Sequence, residues 1–551
     1  MRVWTTFVAI VAVLAIGGCS GDAPPPTPAP APANQINAQP REKLRDGGTL
    51  SWPLSSLPAN FNYYQVDGAG KDTADVVQAV LPSAFLADAR GTPYPNRDLL
   101  AADPEVATAP RQVVTYRINP RAVWSDGTPV TWADFHWQWV ATSGANPAYR
   151  VASAKGYDQI ASVERGSDDR AVVVTFTRAY ADWTALFNPL YPASTNQDPT
   201  VFNDGWRAGP LLSAGPFRLD RVDVTTRTIS VVRNERWWGA KARLESIAFR
   251  VVDPSVQLDA LVDGTIDFVD VGLDPGRYVR AKAAGADIRV AGGPSFRQLT
   301  FNAAGPILSD VTVRRALAMG IDRAAIGRAV LGPLGISPGP LGNHLLMINQ
   351  DGYRDNSGDV GRYDPDQARK LLDEAGWRLS GATRAKDGTP LALSFVVPDG
   401  VTPSGVEAAL VKDQLAAVGV AVTVTAVPAG DFFDRYVTPG AFDLTTFSWI
   451  GTPYPVSASR SIYASTTGAD GQNYARVGSS EIDALFDAAM AELTRTKAIE
   501  LANQIDAKLW QEVHSITTYQ RPHQIACRKG LANVGAFGFA SPVYADIGWA
   551  A

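Results

Sequence analysis

Residues 404–427 read SGVEAALVKDQLAAVGVAVTVTAV, and this stretch decides the fold class. Ser404 and Glu407 have the spacing of a capping box, which predicts the start of a helix. Gly419 predicts the end of that helix, because glycine often closes helices. Apolar and small polar residues then alternate over 420–427, as in a β-strand. This helix–glycine–strand order indicates an α/β layer with a mainly parallel sheet.

Similar signals occur along the rest of the chain. Thr131 with Asp134 predicts a capped helix over 132–142. Asp364 followed by Pro365 predicts the start of another helix, and Ser479 or Ser480 predicts the start of a third. Alternating patterns predict strands over residues 49–54, 113–119, 171–176 and 227–233.

The N-terminus has the pattern of an export signal, which we predict over residues 1–18. One arginine precedes an apolar run over 7–16, which is too short for the ~20 residues that a membrane-spanning helix needs. The tetrapeptide Ile16-Gly17-Gly18-Cys19 resembles the bacterial lipobox, in which the cysteine receives a diacylglyceryl group. We therefore expect Cys19 to be the lipidated first mature residue; the alternative is an ordinary secretory signal with an incidental cysteine. A Pro/Ala tract follows, and we expect a spacer over 19–45.

Composition sets the broad class. A chain of 551 residues that is 46% hydrophobic can bury a large core, and its length suggests more than one domain or lobe. The net charge is −5, and both signs are scattered without a basic cluster interleaved with aromatics, so nucleic acid is not an expected partner.

Cysteine and histidine give no sign of a metal or redox site. The chain has two cysteines, so lipidation of Cys19 would leave Cys527 alone, and we expect Cys527 to be a buried small hydrophobe. No two histidines have i+3 or i+4 spacing, and we expect neither metal nor cofactor. The histidines are His136, His344, His514 and His523.

A single hydrolase-like motif can be set aside. Gly335-Ile336-Ser337-Pro338-Gly339 matches G-x-S-x-G, in which the residue after the serine donates its N–H to an oxyanion. Pro338 has no N–H to donate. We therefore expect a protein that is not an enzyme.

An ordered series of motifs carries a family resemblance. The series resembles the peptide- and nickel-type (family 5) extracellular solute-binding proteins of ABC importers, including mycobacterial lipoproteins, and it runs from about residue 47 to the C-terminus. Its members are VTYRI (114–118), AVWSDGTPVT (122–131), SAGPF (213–217), RNERWWG (233–239), LVDGTID (261–267), DVTVRRALAMGIDR (310–323) and GQNY (471–474).

The resemblance implies an α/β, two-lobed, type II periplasmic-binding-protein-like fold, with mixed sheets flanked by helices and two hinge crossings. The crossings are expected near residues 293–298 and 518–521. The expected lobe I covers residues 46–293 and 520–551, with an extra subdomain at about 80–205, and the expected lobe II covers 294–519. Such lobes close on a ligand by hinge motion.

The resemblance also implies a ligand cleft lined by Trp449. In peptide-binding members an aspartate follows three positions later and pairs with the peptide ammonium, whereas this chain has Thr452. That departure disfavours a peptide with a free N-terminus unless another acid substitutes, such as Asp431, Asp434 or Asp470. The expected ligand-binding residues, from the cleft-facing loops and the hinge crossings, are Trp449, Tyr63, Tyr64, Phe296, Gln298, Tyr454, Asn473 and Tyr519.

Two functions fit the sequence. The first is a lipid-anchored monomer on the outer face of the cytoplasmic membrane that delivers an oligopeptide-like solute to an ABC permease and its ATPase. The second is an envelope lipoprotein that binds a glycolipid, such as mannosylated phosphatidylinositol, and regulates cell-wall synthesis.

Overall fold

The computed structural model describes residues 33–551 except residues 338 and 466–470. The predicted signal peptide, Cys19, Pro338 and Asp470 lie outside the described residues. No helix in the described part of the chain is both long and apolar enough to cross a bilayer.

The strands follow the alternating segments of the sequence and are numbered in chain order. They are β1 (Thr49–Leu54), β2 (Phe85–Ala87), β3 (Pro93–Pro95), β4 (Glu105–Ala107), β5 (Val113–Arg117), β6 (Ile160–Arg165), β7 (Ala171–Phe176), β8 (Phe217–Asp223), β9 (Thr228–Arg233), β10 (Ser246–Val251), β11 (Phe268–Asp270), β12 (Asp287–Phe301), β13 (Arg378–Ser380), β14 (Thr383–Lys386), β15 (Thr389–Pro390), β16 (Ala392–Pro398), β17 (Ala421–Val427), β18 (Leu444–Ile450), β19 (Ser515–Cys527), β20 (Leu531–Ala532) and β21 (Gly548–Trp549).

The helices are numbered in the same way. They are α1 (Lys71–Val80), α2 (Trp132–Thr142), α3 (Ala193–Asn196), α4 (Gln257–Val262), α5 (Pro275–Ala283), α6 (Val311–Met319), α7 (Arg323–Leu331), α8 (Pro365–Glu374), α9 (Thr402–Ala416), α10 (Pro455–Tyr463), α11 (Ser480–Ala491) and α12 (Arg495–Glu512).

Three larger sheets organise the chain. One has the order β1-β10-β9-β8, a second has the order β4-β5-β7-β6, and a mixed six-stranded sheet has the order β11-β19-β12-β18-β16-β17. In this third sheet β16 pairs in parallel with β17 and β18, whereas the pairs that involve β12 and β19 are antiparallel. The expectation of a mainly parallel sheet is therefore wrong, although the helix–glycine–strand unit itself forms.

Helix caps are predicted correctly where no residue distant in the chain binds the capping side chains. Thr131 and Asp134 form both bonds of the predicted capping box of α2. Asp364 caps α8 and Ser479 caps α11, which confirms these starts. Helix α9, in contrast, begins at Thr402 after Val401, without a side-chain cap. Ser404 and Glu407 lie inside that helix, so the predicted capping box there is wrong.

The hydrophobic core consists of several clusters, and we use the names lobe I and lobe II for the two residue ranges expected above. In lobe I one cluster joins the β1-β10-β9-β8 sheet to the β4–β7 sheet, so the segment expected as an extra subdomain shares its core with the rest of the lobe. Lobe II has its own core between α6–α9 and the β16–β18 edge of the mixed sheet. Cys527 is buried in the structure, as expected, and burial raises the pKa of its thiol to about 12.

Strands β12 and β19 run through both lobes. They pair antiparallel from Asp287 opposite Cys527 to Thr300 opposite Ser515, with register shifts between Gly292 and Gln298. At Gly293 a Cβ atom would lie 2.4 Å from the carbonyl oxygen of Arg521, so only glycine allows the two backbones to approach this closely. The chain therefore crosses between the lobes on two directly paired strands.

The segment before β1 is bound to lobe I, whereas the sequence predicts a spacer up to residue 45. Gln35 exchanges hydrogen bonds with Val290 of β12, at 3.1 and 2.9 Å. Asn533 donates to Gln39 and accepts from its N–H, and Arg45 donates to Trp549. These bonds satisfy backbone groups that a free spacer would leave to water. Residues 34–45 are thus part of the folded lobe.

A buried ion pair explains the missing cap of α9. The guanidinium of Arg297 on β12 contacts both carboxylate oxygens of Glu407, at 2.9 and 2.5 Å, and also donates to Ser404. Tyr519 of β19 and Thr446 of β18 donate to the same carboxylate. The Arg297 and Glu407 side chains are only 6% and 3% exposed. This network ties α9 to the crossing strands.

We expect Glu407→Gln to destabilise the protein by about 3–5 kcal/mol, because it leaves the Arg297 charge buried without a counter-charge. Denaturant unfolding of lobe II, followed by tryptophan fluorescence, measures the change. The matched control is Glu374→Gln, which removes an exposed partner 4.0 Å from Lys370 and should change stability by about 0.5 kcal/mol or less. Equal effects of the two variants would contradict the role of the network.

Candidate ligand cleft

The two lobes face each other across a cavity of about 250 Å³. Lobe I contributes Asp182, Trp183 and Thr184 to its wall. Lobe II contributes polar and apolar side chains from three segments: Leu346, Gln350, Asp351, Tyr454, Val456, Glu492, Leu493, Arg495 and Ile499. The volume is near the lower end of the range for small-molecule sites. A cavity that is lined by residues of both lobes is the arrangement that hinge closure on a ligand requires.

Direct hydrogen bonds hold the lobes together around this cavity. The Lys155 ammonium donates to the carbonyl of Ser457, and the N–H of Ala181 donates to the carbonyl of Met490 at 2.8 Å. Arg90 pairs with Asp351 at 2.5 Å on another side. The structure therefore represents a closed arrangement of the lobes.

Tyr454 reaches from lobe II into lobe I. It follows Thr452, whose hydroxyl accepts the Tyr454 N–H at 3.0 Å and fixes the turn before α10. The Tyr454 hydroxyl contacts Thr184, and burial raises its pKa. Burial also raises the pKa of Asp182, against the opposing effect of its hydrogen bond with Ser457. Both groups are thus partly shielded from water in this structure.

Trp449 lies in an aromatic cluster of lobe II. Its ring stacks on Tyr474 with centroids 5.9 Å apart and an interplanar angle of 9°, and Phe447 meets it edge-on at 5.2 Å. A π-helical turn, Phe432–Val437, adds Phe433, whose ring is 5.3 Å from Phe447 and which is 42% exposed. The indole N–H of Trp449 is buried and has no hydrogen-bond partner among the described residues.

Trp449 and the cavity share a hydrophobic cluster. The indole packs against the group that contains Leu345 and Val456, and Val456 lines the cavity. Phe296 pairs with Trp449 across β12 and β18, and packs against Met347 and Phe539. Phe539 belongs to lobe I, so Phe296 lies where the two lobes meet.

Three of the expected site residues have side chains that are occupied within the protein. Gln298 is buried and bonds to Thr300 and Tyr463. The Asn473 amide donates to the carbonyls of Ala464 and Val477, and thereby shapes the loop that carries Tyr474. Tyr519 is fully buried and donates to Glu407 at 2.7 Å. The roles of these side chains in this structure are internal ones.

Tyr63 and Tyr64 lie in a separate aromatic group in lobe I. The Tyr64 hydroxyl donates to the carbonyl of Pro189 at 2.9 Å, and the Tyr157 hydroxyl donates to Tyr64. Tyr63 is half-buried and lines a lobe I cavity of about 230 Å³ with Val77, Asn188 and Trp237. Burial raises the pKa of both tyrosines.

Of the acids expected to replace the missing aspartate, neither Asp431 nor Asp434 lines the cavity. Asp431 pairs with Arg435 at 3.2 Å on the surface, and Asp434 is exposed. The cavity wall instead contains Asp182, together with Asp351 and Glu492. No sequence signal marked Asp182, because it lies in a loop far along the chain from Tyr454 and Ser457.

Metal coordination has no basis in the described residues, where no group of three His, Cys, Asp or Glu side chains could hold an ion. His344 bonds to Asp506 and His514 bonds to Asn473, both inside lobe II. Burial lowers the pKa of His514 well below its usual value. These histidines are satisfied core groups.

Comparison with known proteins identifies the family. The model of bacterial extracellular solute-binding proteins, family 5, matches residues 97–471. The chain belongs to this family. It is 42% identical over 553 aligned residues to the oligopeptide-binding protein OppA of Mycobacterium tuberculosis (strain ATCC 25618 / H37Rv), covering 98% of this chain and 92% of that protein. The family resemblance seen in the sequence is therefore confirmed.

Two further similarities bear on fold and ligand. The probable monoacyl phosphatidylinositol tetramannoside-binding protein LpqW of M. tuberculosis is 28% identical over 333 residues, which cover 57% of this chain and 50% of LpqW. The periplasmic EDTA-binding protein EppA superposes with a TM-score of 0.83 at 24% identity, covering 94% of this chain and 98% of EppA. The latter match confirms the fold class. As a family 5 member, the protein is a substrate-binding protein and not an enzyme.

We expect the double variant Lys155→Ala/Arg90→Ala to shift the free protein toward an open form, because each removed hydrogen bond or ion pair stabilises closure by about 1 kcal/mol. Small-angle X-ray scattering measures the change as a larger radius of gyration. The control is Lys370→Ala/Arg369→Ala, which removes the same charge from exposed positions on α8. An unchanged radius in the first variant would show that these contacts do not hold the lobes together.

Proposed function

We propose that the protein is a lipid-anchored receptor that captures an oligopeptide-like solute between its lobes and delivers it to an ABC import permease with its ATPase. The observation that carries the proposal is the closed cavity whose wall comes from both lobes and lies beside the Trp449 cluster. The 42% identity to OppA over nearly the whole chain supports a peptide-like ligand.

The anchor and the partners are part of the same proposal. Cys19, as the lipidated residue, would hold a monomer on the outer face of the cytoplasmic membrane. Because residues 34–45 are bound to lobe I, the tether from Cys19 to the folded lobe would be shorter than the expected 19–45. This tether keeps the receptor within reach of a permease in the same membrane.

The cavity offers a substitute for the aspartate that Thr452 replaces. Asp182 lines the cavity and is half-buried, and burial raises its pKa. A ligand ammonium would stabilise its ionised form, because an opposite charge nearby favours the charged state of a carboxyl. We propose Asp182 as the group that compensates a peptide N-terminus, with Trp449 stacking on the ligand.

A glycolipid is the second candidate, favoured by the Trp449–Tyr474–Phe447–Phe433 cluster. Stacked aromatic rings provide a largely uncharged surface that suits sugars or apolar groups. The similarity to LpqW covers only about half of each chain. This reading places the protein in cell-wall regulation without a permease.

Native mass spectrometry of the full-length protein, extracted from its own envelope, decides between the two. We expect a distribution of bound peptide masses, because a receptor of this kind carries its cargo through mild purification. A single glycolipid mass would contradict solute import and favour the second candidate. A protein that carries neither class of ligand would contradict both.

We expect Trp449→Ala to weaken peptide binding by about 2–4 kcal/mol, the usual range for removal of a central aromatic contact. Isothermal titration with the peptides recovered from the native protein measures the loss. The control is Trp237→Ala, which removes a partly exposed indole from lobe I and should leave affinity unchanged. Equal affinities for Trp449→Ala and wild type would remove Trp449 from the site.

A further inference from the structure

A second cavity, of about 370 Å³, lies where the lobes meet beside the crossing strands. It shares no wall residue with the cavity between Asp182 and Tyr454. Lobe I contributes Tyr278 and Lys282 of α5, and the crossing strands contribute Ile288, Val290 and Gln524. Lobe II contributes Leu334, Gly335 and Ile336. The volume is within the range of small-molecule sites.

Gln524 is the unusual member of this wall. It is 1% exposed, and both its amide nitrogen and its amide oxygen have no hydrogen-bond partner among the described residues. Its backbone is satisfied, since its carbonyl accepts the N–H of Val271 at 2.9 Å. Leaving a buried donor and acceptor unpaired costs free energy that a methionine or leucine would avoid. Such a group calls for an explanation outside the fold.

The remaining walls define what could pair with Gln524. Ile288, Val290, Leu334 and Ile336 provide apolar surface. The charged groups are Lys282, whose ammonium lies 5.2 Å from the Tyr278 ring centre, and Asp287, which forms an ion pair with Arg289. Because Lys282 and Asp287 have opposite charges, the cavity has no preference for an ionic ligand. The carboxamide of Gln524 pairs best with a ligand group that offers one acceptor and one donor.

We propose that this cavity binds a small neutral molecule with a carboxamide or lactam group. The Gln524 amide donates to the ligand carbonyl and accepts the ligand N–H, and the apolar walls enclose the body of the molecule. Both orphaned atoms of Gln524 are then satisfied at once.

Binding here acts on lobe closure, because the wall contains residues of both lobes. Tyr278 packs against the core of lobe II and also against the α4–α5 cluster of lobe I. At Gly335 a Cβ atom would lie 3.2 Å from the Tyr278 hydroxyl, so the two lobes touch at the rim. A ligand that contacts both walls favours the closed form and therefore raises the ligand affinity of the main cleft. By reciprocity, a ligand in the main cleft raises the affinity of this second cavity by the same factor. This coupling rests on the proposed function, whereas binding at Gln524 does not.

The probe pair is 4-fluorobenzamide and methyl 4-fluorobenzoate, which differ in the N–H group. We expect fluorine NMR titration of the full-length protein to show saturable binding of the amide, with the ester about tenfold weaker because it cannot donate to Gln524. In Gln524→Met the amide should bind no more tightly than the ester, and the melting temperature should equal or exceed that of wild type. Trp449→Ala should keep the preference for the amide.

Three binding results would overturn the proposal. They are no saturable amide binding to wild type, equal affinities for amide and ester in wild type, and an unchanged amide preference in Gln524→Met. A lower melting temperature of Gln524→Met would likewise show that the amide is a structural group. If peptide binding fails in the main cleft while amide binding at Gln524 persists, the proposed function falls and this site stands.

Discussion

The pairing of β12 with β19 is the constraint on which the rest of the molecule depends. These two strands pass through both lobes, and in the mixed sheet β19 pairs with β11 of lobe I while β12 pairs with β18 of lobe II. The ladder is interrupted between Gly292 and Gln298, and Gly293 touches the backbone of Arg521 there. An interrupted ladder bends more easily than a continuous one, because fewer backbone hydrogen bonds resist the change. Hinge motion is thereby concentrated at one level of two long strands.

On the lobe II side of this interruption, a buried network attaches the lobe to the crossing strands. Within lobe II the Arg297–Glu407 pair is buried and bonded to Tyr519, Thr446 and Ser404. A buried network of this kind makes the attachment of α9 to the crossing strands rigid, since breaking it exposes an unpaired charge to a low dielectric. Lobe II can therefore rotate as a unit without loosening at its junction with the strands.

The sequence predicts correctly those contacts whose two residues lie close together in the chain. The capping box of Thr131 and Asp134 forms as expected because its two members bond to each other's backbone. The same pattern at Ser404 and Glu407 fails, because Arg297 is more than a hundred residues away and binds both side chains. Tyr519 was expected in the cleft, yet its hydroxyl joins the same network. Asp182 and Lys155 give no local signal at all, because their importance comes from Ser457 on the opposite lobe.

Contacts between the lobes are of a different kind from those within them. The Arg90–Asp351 pair joins side chains that are 67% and 40% exposed, and exposed pairs contribute little to stability. Lys155 donates to a carbonyl and not to a carboxylate, so no direct ion pair is lost when this contact opens. A receptor that must release its ligand needs a closed state only slightly more stable than the open one, because a ligand cannot shift an equilibrium by more than its differential affinity. An exposed ion pair such as Arg90–Asp351 across the cleft, and the buried Arg297–Glu407 network behind it, meet that requirement.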